Sequence, residues 1–239
     1  MYKTKQRFLL LFLIIAGYTQ VNAQVLLSVI FGDKLNSDKI EFGLDGGLNW
    51  SQISGLESSS SRRTFNIGFY FDIAMKKQWS LYTGVLVKAQ LGTDKLSEED
   101  LAFLEITPQE EEGTYAQRLS YFLVPALMRY NFKNRIYVEA GPQFGLMHKA
   151  SVDFSSDQDN LEIRIKEFNK DRINRIDAGL SGGVGYRLRP RKGMSVGLRY
   201  YYGFVNVYKE RSGTNNSSIF AKVTIPIGAN KKDKDEDQQ

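Results

Sequence analysis

A hairpin between Arg63 and Leu91 restricts the possible folds of this chain more than any other stretch. One face of its first arm is entirely apolar and consists of Phe65, Ile67, Phe69, Phe71 and Ile73. The opposite face alternates with it, as strand residues do, and carries Asn66, Gly68, Tyr70, Asp72 and Ala74. The second arm repeats the pattern with a uniform face of Leu81, Thr83, Val85, Val87 and Leu91. A uniform face opposite glycine, tyrosine and isolated charges is typical of a strand with lipid outside and a crowded polar interior.

The same alternation recurs along the chain and predicts eight strands. Besides the two hairpin arms, they are expected at 40–53, 115–132, 135–149, 174–188, 194–207 and 218–228. The first, third, fifth and seventh links are longer than the second, fourth and sixth. A barrel with both ends on one side of a membrane has this rhythm, because its periplasmic turns are short and its outer loops long. The predicted fold is therefore all-β: an eight-stranded antiparallel up-and-down transmembrane β-barrel.

The chain begins with a segment that has the features of a cleaved signal peptide. Lys3, Lys5 and Arg7 precede an apolar run at 8–16, and residues 21–23 end in the small residue that such a cleavage site needs. The run is much shorter than the ~20 residues of a membrane-spanning helix. Export of a barrel predicts a location in the bacterial outer membrane. The expected organisation is a signal peptide at 1–23, a lead-in at 24–39, the barrel at 40–228 and a charged tail at 229–239.

Charge and residue content exclude several classes of function. Loss of the signal reduces Lys+Arg from 32 to 29 against 27 acidic residues, so no basic face for nucleic acid is expected. The absence of cysteine excludes disulfides and thiol catalysis. The glycine cluster at 179–186 lacks the lysine and helix start of a phosphate-binding loop. No cofactor, no metal and no catalytic residue is predicted.

The mid-strand charges fall on the inner face when the apolar residues set the outer one. The fourth strand is apolar on both faces, so Arg129 is placed inward because a charge facing lipid costs about 2–4 kcal/mol at the bilayer midplane. Eight strands enclose a lumen that side chains fill, which predicts a salt-bridged interior without a wide pore. This structural charge network is expected to comprise Glu41, Asp45, Asp72, Lys88, Arg129, Glu139, Asp177, Arg187, Arg199 and Lys222.

Three local features lie beyond the strand pattern. Ser97 with Asp100 forms a possible capping box, which predicts a short surface helix; a solvated charged loop is the alternative. Alternation at 161–166 predicts that the fifth and sixth strands continue above the membrane as a ribbon. Pro125 removes a ladder donor and predicts a bulge.

Four strand motifs resemble a known family. FGLDGGLNWS, YFLVPALMRY, YVEAGPQFGLM and VGLRYYYGFVNV are similar to the outer-membrane β-barrel domain of PorT-like proteins of Bacteroidetes. The resemblance implies an outer-membrane barrel and, through some relatives, a link to gliding or type IX secretion. The chain departs from the usual ending of such barrels, since it lacks a terminal aromatic residue and carries a charged tail instead.

These observations leave several functions open. The first is a non-enzymatic envelope protein, embedded in outer-membrane lipid, whose loops or tail contact other envelope or secretion-system proteins. The second is a narrow porin-like channel for small solutes. The third is a lipid-modifying enzyme that uses His148 with Ser151 and Asp153 at the outer rim. A soluble lipocalin-like barrel is the structural rival, and it would turn the apolar faces inward.

Overall fold

The computed structural model describes residue 37 and residues 39–57, 60–158, 161–189 and 193–227. The predicted signal peptide, the charged tail and nearly all of the lead-in lie outside the described residues. Within the described ranges, no helix is long and apolar enough to cross a membrane.

The described part of the chain forms nine strands, one α-helix and a 3₁₀ turn at 170–172. In chain order the named elements are β1 (Ile40–Ile53), β2 (Ser60–Ala74), β3 (Trp79–Asp94), α1 (Glu98–Phe103), β4 (Thr114–Asn131), β5 (Ile136–Gln158), β6 (Leu161–Phe168), β7 (Ile176–Arg187), β8 (Ser195–Asn206) and β9 (Asn215–Pro226).

Eight of these strands close into an antiparallel ring. Its order is β4-β3-β2-β1-β9-β8-β7-β5, and β5 pairs back with β4. The remaining strand, β6, pairs with the upper part of β5 at 151–158, while β7 pairs with the lower part. The predicted eight-stranded up-and-down barrel is confirmed, and the ribbon predicted at 161–166 is formed by β5 and β6.

The apolar stripe of each strand faces outward. Leu198 is 56% exposed and Phe144 is 50% exposed, whereas the adjacent Arg199 is 3% exposed. A water-soluble barrel with its apolar faces inward would show the reverse. The exposed band of leucine, valine, isoleucine and phenylalanine is the surface that a transmembrane barrel presents to hydrocarbon.

A bulge in β3 corrects the prediction for Lys88. The register with β4 shifts between Leu86 and Ala89, so the strand changes phase at this point. Lys88 is exposed on the outer face opposite Ile67, and Leu91, which was expected outside, is fully buried. Strict alternation places Lys88 inside, but one extra residue reverses every position that follows it.

The bulge predicted at Pro125 is not present. The register with β5 is unchanged from Val124 to Met128, and the pairing with β3 lapses near the proline without a shift. Pro125 therefore costs β4 a ladder bond but not its alignment. The register between β4 and β5 shifts instead at His148, between Met147 and Lys149.

Candidate functional site in the barrel interior

Arg129 on β4 is the centre of an ion-pair cluster in the lumen, near the end with short turns. Its Nη1 atom lies 2.6 Å from Oδ2 of Asp72, and its Nη2 atom lies 2.6 Å from Oε2 of Glu139. The other oxygen of Glu139 accepts from Nη2 of Arg199 at 2.7 Å. Asp72 also accepts from Nη2 of Arg187 at 2.5 Å. Side chains from β2, β4, β5, β7 and β8 thus meet at one point of the lumen.

Tyr82 on β3 connects this cluster to the strands beyond it. Its ring is fully buried, with the cationic groups of Arg129, Arg199 and Lys222 lying 4.2, 4.9 and 3.9 Å from the ring centroid. Its hydroxyl donates to Asp45, which also pairs with Nζ of Lys222 at 3.1 Å. Tyr82 thus supplies both a π-face for the cations and a proton donor for a carboxylate.

A second buried tyrosine holds the remaining predicted acid of this region. Tyr70 stacks on Tyr82 with 5.5 Å between the ring centroids, and its hydroxyl donates to Oε1 of Glu41 at 2.8 Å. The strand alternation places Tyr70 on the inner face, but it predicts neither tyrosine as part of the network. Large aromatic residues at lumen positions of a strand rich in glycine are the sequence signal for them.

The structure brings together eight of the ten residues predicted for the lumen network. Four are acids and four are bases, so the assembled group carries no formal net charge. Such compensation matters because an unpaired buried charge is strongly unfavourable. Lys88 lies on the outer face, as described above. The eight are Glu41, Asp45, Asp72, Arg129, Glu139, Arg187, Arg199 and Lys222.

Asp177 faces the lumen but lies apart from the ion-pair cluster. It stands at the beginning of β7, where its Oδ2 atom accepts a 2.8 Å hydrogen bond from Nδ2 of Asn216. The same amide group of Asn216 donates to the hydroxyl of Tyr121 at 3.3 Å. Asp177 therefore belongs to a separate polar contact between β7, β9 and β4.

The half of the lumen toward the long loops is filled largely by apolar side chains. This apolar plug consists mainly of inward-facing residues of β3, β4 and β5, joined by residues of the loop that contains α1. Fully or almost fully buried members include Leu86, Leu91, Leu96, Leu101, Leu104, Leu119, Leu123, Met147 and Val152. Because these strands carry apolar residues on both faces at this level, neither half of the lumen is left as an open polar channel.

The helix α1 covers the outer mouth of the barrel. Its N-cap Ser97 accepts a 3.1 Å hydrogen bond from the backbone N–H of Asp100, as the capping box predicts. The helix is not the solvated surface element that was expected, since Leu101 is 3% exposed and Leu104 is 2% exposed. Its two leucines complete the apolar plug from above.

Charged contacts attach α1 to the neighbouring loops. Asp100 is fully buried, accepts from the backbone N–H of Glu57 at 3.1 Å and lies 3.5 Å from Nη1 of Arg211. Arg172 pairs with Glu105 and donates to the carbonyl of Phe103 at 3.2 Å. The hydrogen bond and the charge of Arg172 hold the pKa of Glu105 below its ordinary value. Three separate loops therefore fix the cap in place.

The three residues of the possible outer-rim catalytic group do not converge. His148 is exposed at the bulge of β5, where its ring lies 4.8 Å from that of Phe122 on the outer face. Ser151 and Asp153 are buried further along β5, on the strand face that Arg118 shares, where the serine hydroxyl donates to Asp153 at 2.6 Å. Asp153 is paired with Arg118 at 2.9 Å. Among the described residues, no group of three or more histidine, aspartate or glutamate side chains could hold a metal ion.

A cavity of about 440 Å³ opens at the end of the barrel with short turns. We call it the basic cavity, because its lining includes five basic side chains and only two acidic ones. No sequence pattern predicts it, since four of these bases belong to two turns and the lead-in, and only the fold brings them together. The bases are Lys39, Lys77, Lys133, Arg135 and Arg187, and the acids are Glu41 and Asp72.

Comparison with known families agrees with the closed ring and its apolar outer wall. Residues 22–209 match the family described as "Outer membrane protein beta-barrel domain". The chain belongs to this outer-membrane β-barrel family. The barrel therefore lies in the bacterial outer membrane, where its short turns face the periplasm and its long loops face outward.

Three solved outer-membrane proteins are among those similar to this family member. Ail of Yersinia pestis, in complex with the heparin analogue sucrose octasulfate, is 13% identical with a TM-score of 0.44, over 79% of this chain and 99% of that one. Neisserial surface protein A is 14% identical with a TM-score of 0.39, over 78% and 96%. OprG from Pseudomonas aeruginosa is 10% identical with a TM-score of 0.32, over 78% and 91%. No curated protein matches this barrel in sequence.

Proposed function

We propose that the protein is a non-enzymatic outer-membrane barrel that acts as a structural and interaction protein of the envelope. The observation that carries this proposal is the filled lumen. Arg129 and its partners occupy the periplasmic half, the apolar plug occupies the outer half, and α1 covers the mouth. A barrel closed in this way offers its loops and ends to other molecules rather than a path through its interior.

Conductance tests the closed lumen directly. The purified mature protein, inserted into planar lipid bilayers, is expected to give no current steps above those of protein-free detergent. A wide porin in the same membranes serves as the positive control. Reproducible current steps from the purified barrel would contradict the proposal and favour the alternative of a narrow channel for small solutes.

The interaction role is tested in cells. Crosslinking of intact cells is expected to recover a specific envelope protein attached to the long loops or to the periplasmic end. Recovery of no partner from either side would count against this role. The PorT-like resemblance supports the narrower proposal that the partner belongs to a gliding or type IX secretion system. A deletion strain with normal gliding and normal secretion would remove that narrower proposal.

The absence of catalysis has its own test. His148 packs against Phe122, while the hydroxyl of Ser151 donates to Asp153, so an H148A variant is expected to leave the lipid A profile of the cell unchanged. A changed profile at equal protein abundance would bring the lipid-modifying hypothesis back.

A further inference from the structure

The basic cavity opens along the barrel axis toward the periplasm. Glu41, Asp72 and Asn131 form its floor from the lumen side, while Lys77 and Lys133 lie at its rim on two different turns. Lipid headgroups of the surrounding leaflet lie outside the wall of strands. The described residues leave the cavity open toward the periplasmic end of the barrel.

The rim of the cavity has an excess of positive charge that the described residues do not compensate. In the described part of the chain, Lys39, Lys77, Lys133 and Arg135 form no ion pair with a carboxylate. The acids at the floor do not neutralise this rim. Asp72 already accepts from Arg129 and Arg187. Five bases and two acids leave a formal excess of three positive charges, which attracts an anionic ligand.

The floor supplies the second observation, because one buried acceptor there has no donor. Glu41 is 6% exposed; its Oε1 atom accepts from Tyr70, but its Oε2 atom has no hydrogen-bond partner. A ligand that only accepts hydrogen bonds, such as sulfate, would be repelled by this carboxylate. A peptide carries backbone N–H donors as well as acidic side chains, so it can satisfy the floor and the rim together.

We infer that the basic cavity binds an acidic, extended peptide segment of a periplasmic partner protein. Carboxylates of the segment pair with the lysines of the rim, and one backbone N–H donates to Oε2 of Glu41. The inference rests on the proposed interaction role and names the chemistry of one partner. Conductance tests the closed lumen and peptide binding tests the cavity, so either can fail without the other.

The test measures binding of a fluorescein-labelled tetraglutamate peptide to the full mature protein in zwitterionic nanodiscs, at about 0.15 M salt to screen weak long-range attraction. The K77E/K133E variant reverses two rim charges and is expected to weaken binding about tenfold or more. The K77R/K133R variant keeps the charges and is expected to bind within about twofold of the parent protein. The matched control K170E reverses an exposed charge beside the outer loops and is expected to leave binding unchanged. Equal binding by the parent and K77E/K133E would overturn the inference.

A substitution of Glu41 distinguishes binding of a peptide from binding of a simple anion. E41Q keeps an acceptor for Tyr70 but places a donor where Oε2 lies, so it is expected to weaken binding of the peptide and to strengthen binding of inorganic pyrophosphate. Tighter binding of both probes would show a site for any anion and would overturn the inference. Displacement of the peptide by phosphatidylglycerol added to the nanodisc would indicate a site for lipid headgroups and would also overturn the inference.

The chain's own tail is the remaining occupant to exclude. A variant that ends at Asn230 lacks the acidic residues of the tail and is expected to bind the peptide within about twofold of the full chain. An increase of tenfold or more would show that the tail itself fills the cavity, and the inference of a separate partner would fall.

Discussion

At the scale of single residues, Arg129 has the largest number of roles in the interior. It joins Asp72 and Glu139, and it lies against the rings of Tyr82 and Tyr137 at 4.2 and 4.1 Å. Removal of a fully buried cation leaves two carboxylates with fewer partners, and breaking a buried pair in this way is strongly destabilising.

An R129M variant is therefore expected to lose about 3–5 kcal/mol of unfolding free energy. Urea titration in phospholipid vesicles, followed by the fluorescence of the two tryptophans, measures the change. The matched control is K88M, which removes a lysine from the outer face and is expected to cause no loss of stability. Equal losses in the two variants would contradict the assignment of Arg129 to the interior network.

The orientation of a charged residue can be predicted from the sequence where one face of its strand is closed to a charge. Arg129 could be placed inward because lipid excludes it. Lys88 could not be placed correctly, since no residue type marks the extra position of the bulge in β3. The role of Tyr82 could not be predicted either. Its cationic partners come from β4, β8 and β9, and these strands meet only after the ring has closed.

At the scale of elements, α1 shows how a local signal and a tertiary contact differ. The capping box of Ser97 predicts the helix because the cap is made within four residues. Its place over the mouth depends on Leu101 and Leu104 meeting apolar side chains of distant strands. Short-range patterns therefore predict the element, and only the closed barrel decides which side of it is buried.

The pair of Glu105 and Arg172 gives the cap a dependence on pH. The folded pKa of Glu105 is lowered from its ordinary value of 4.5, so the pair stabilises the cap above that pH and the contribution is lost as pH falls through the lower, folded value. Hydrogen exchange of the amides of 98–106 is expected to be faster in R172A than in the parent protein at pH 7. The difference is expected to become smaller in strong acid, where only the bond of Arg172 to the carbonyl of Phe103 remains.

The control for the cap is E110Q, which neutralises an exposed acid of the same loop. Its exchange rates are expected to match those of the parent protein at both pH values. A difference between R172A and the parent that persists unchanged in acid would show that Arg172 acts through its bond to Phe103 and not through Glu105.

At the scale of the whole molecule, exposed apolar residues lie in two different surroundings: the apolar band of the ring, and the ribbon beyond it. Leu198 lies on the outer face of β8 within the apolar band, whereas Ile165 lies on the ribbon of β5 and β6 beyond the ring. Both are exposed and apolar. Only the first is surrounded by hydrocarbon if the band spans a bilayer.

An L198R variant is therefore expected to cost more than about 1 kcal/mol in vesicles, because the penalty for arginine rises from about 0–1 kcal/mol near the interfaces to about 2–4 kcal/mol at the midplane. An I165R variant is expected to change stability by less than about 0.5 kcal/mol, as surface substitutions usually do. The same urea titration measures both variants, and heat-modifiable mobility in detergent gels checks that each one has folded. Equal costs would contradict the position of the membrane band.

The ion-pair cluster also constrains how the barrel is made. Asp45 belongs to β1 and its partner Lys222 belongs to β9, so this pair forms only when the first and last strands meet. An unfinished barrel would carry these ionised groups uncompensated into the bilayer. Closure of the seam and pairing of Asp45 with Lys222 are thus a single event, so a barrel that lacks its last strand keeps a carboxylate on its first strand without its cationic partner.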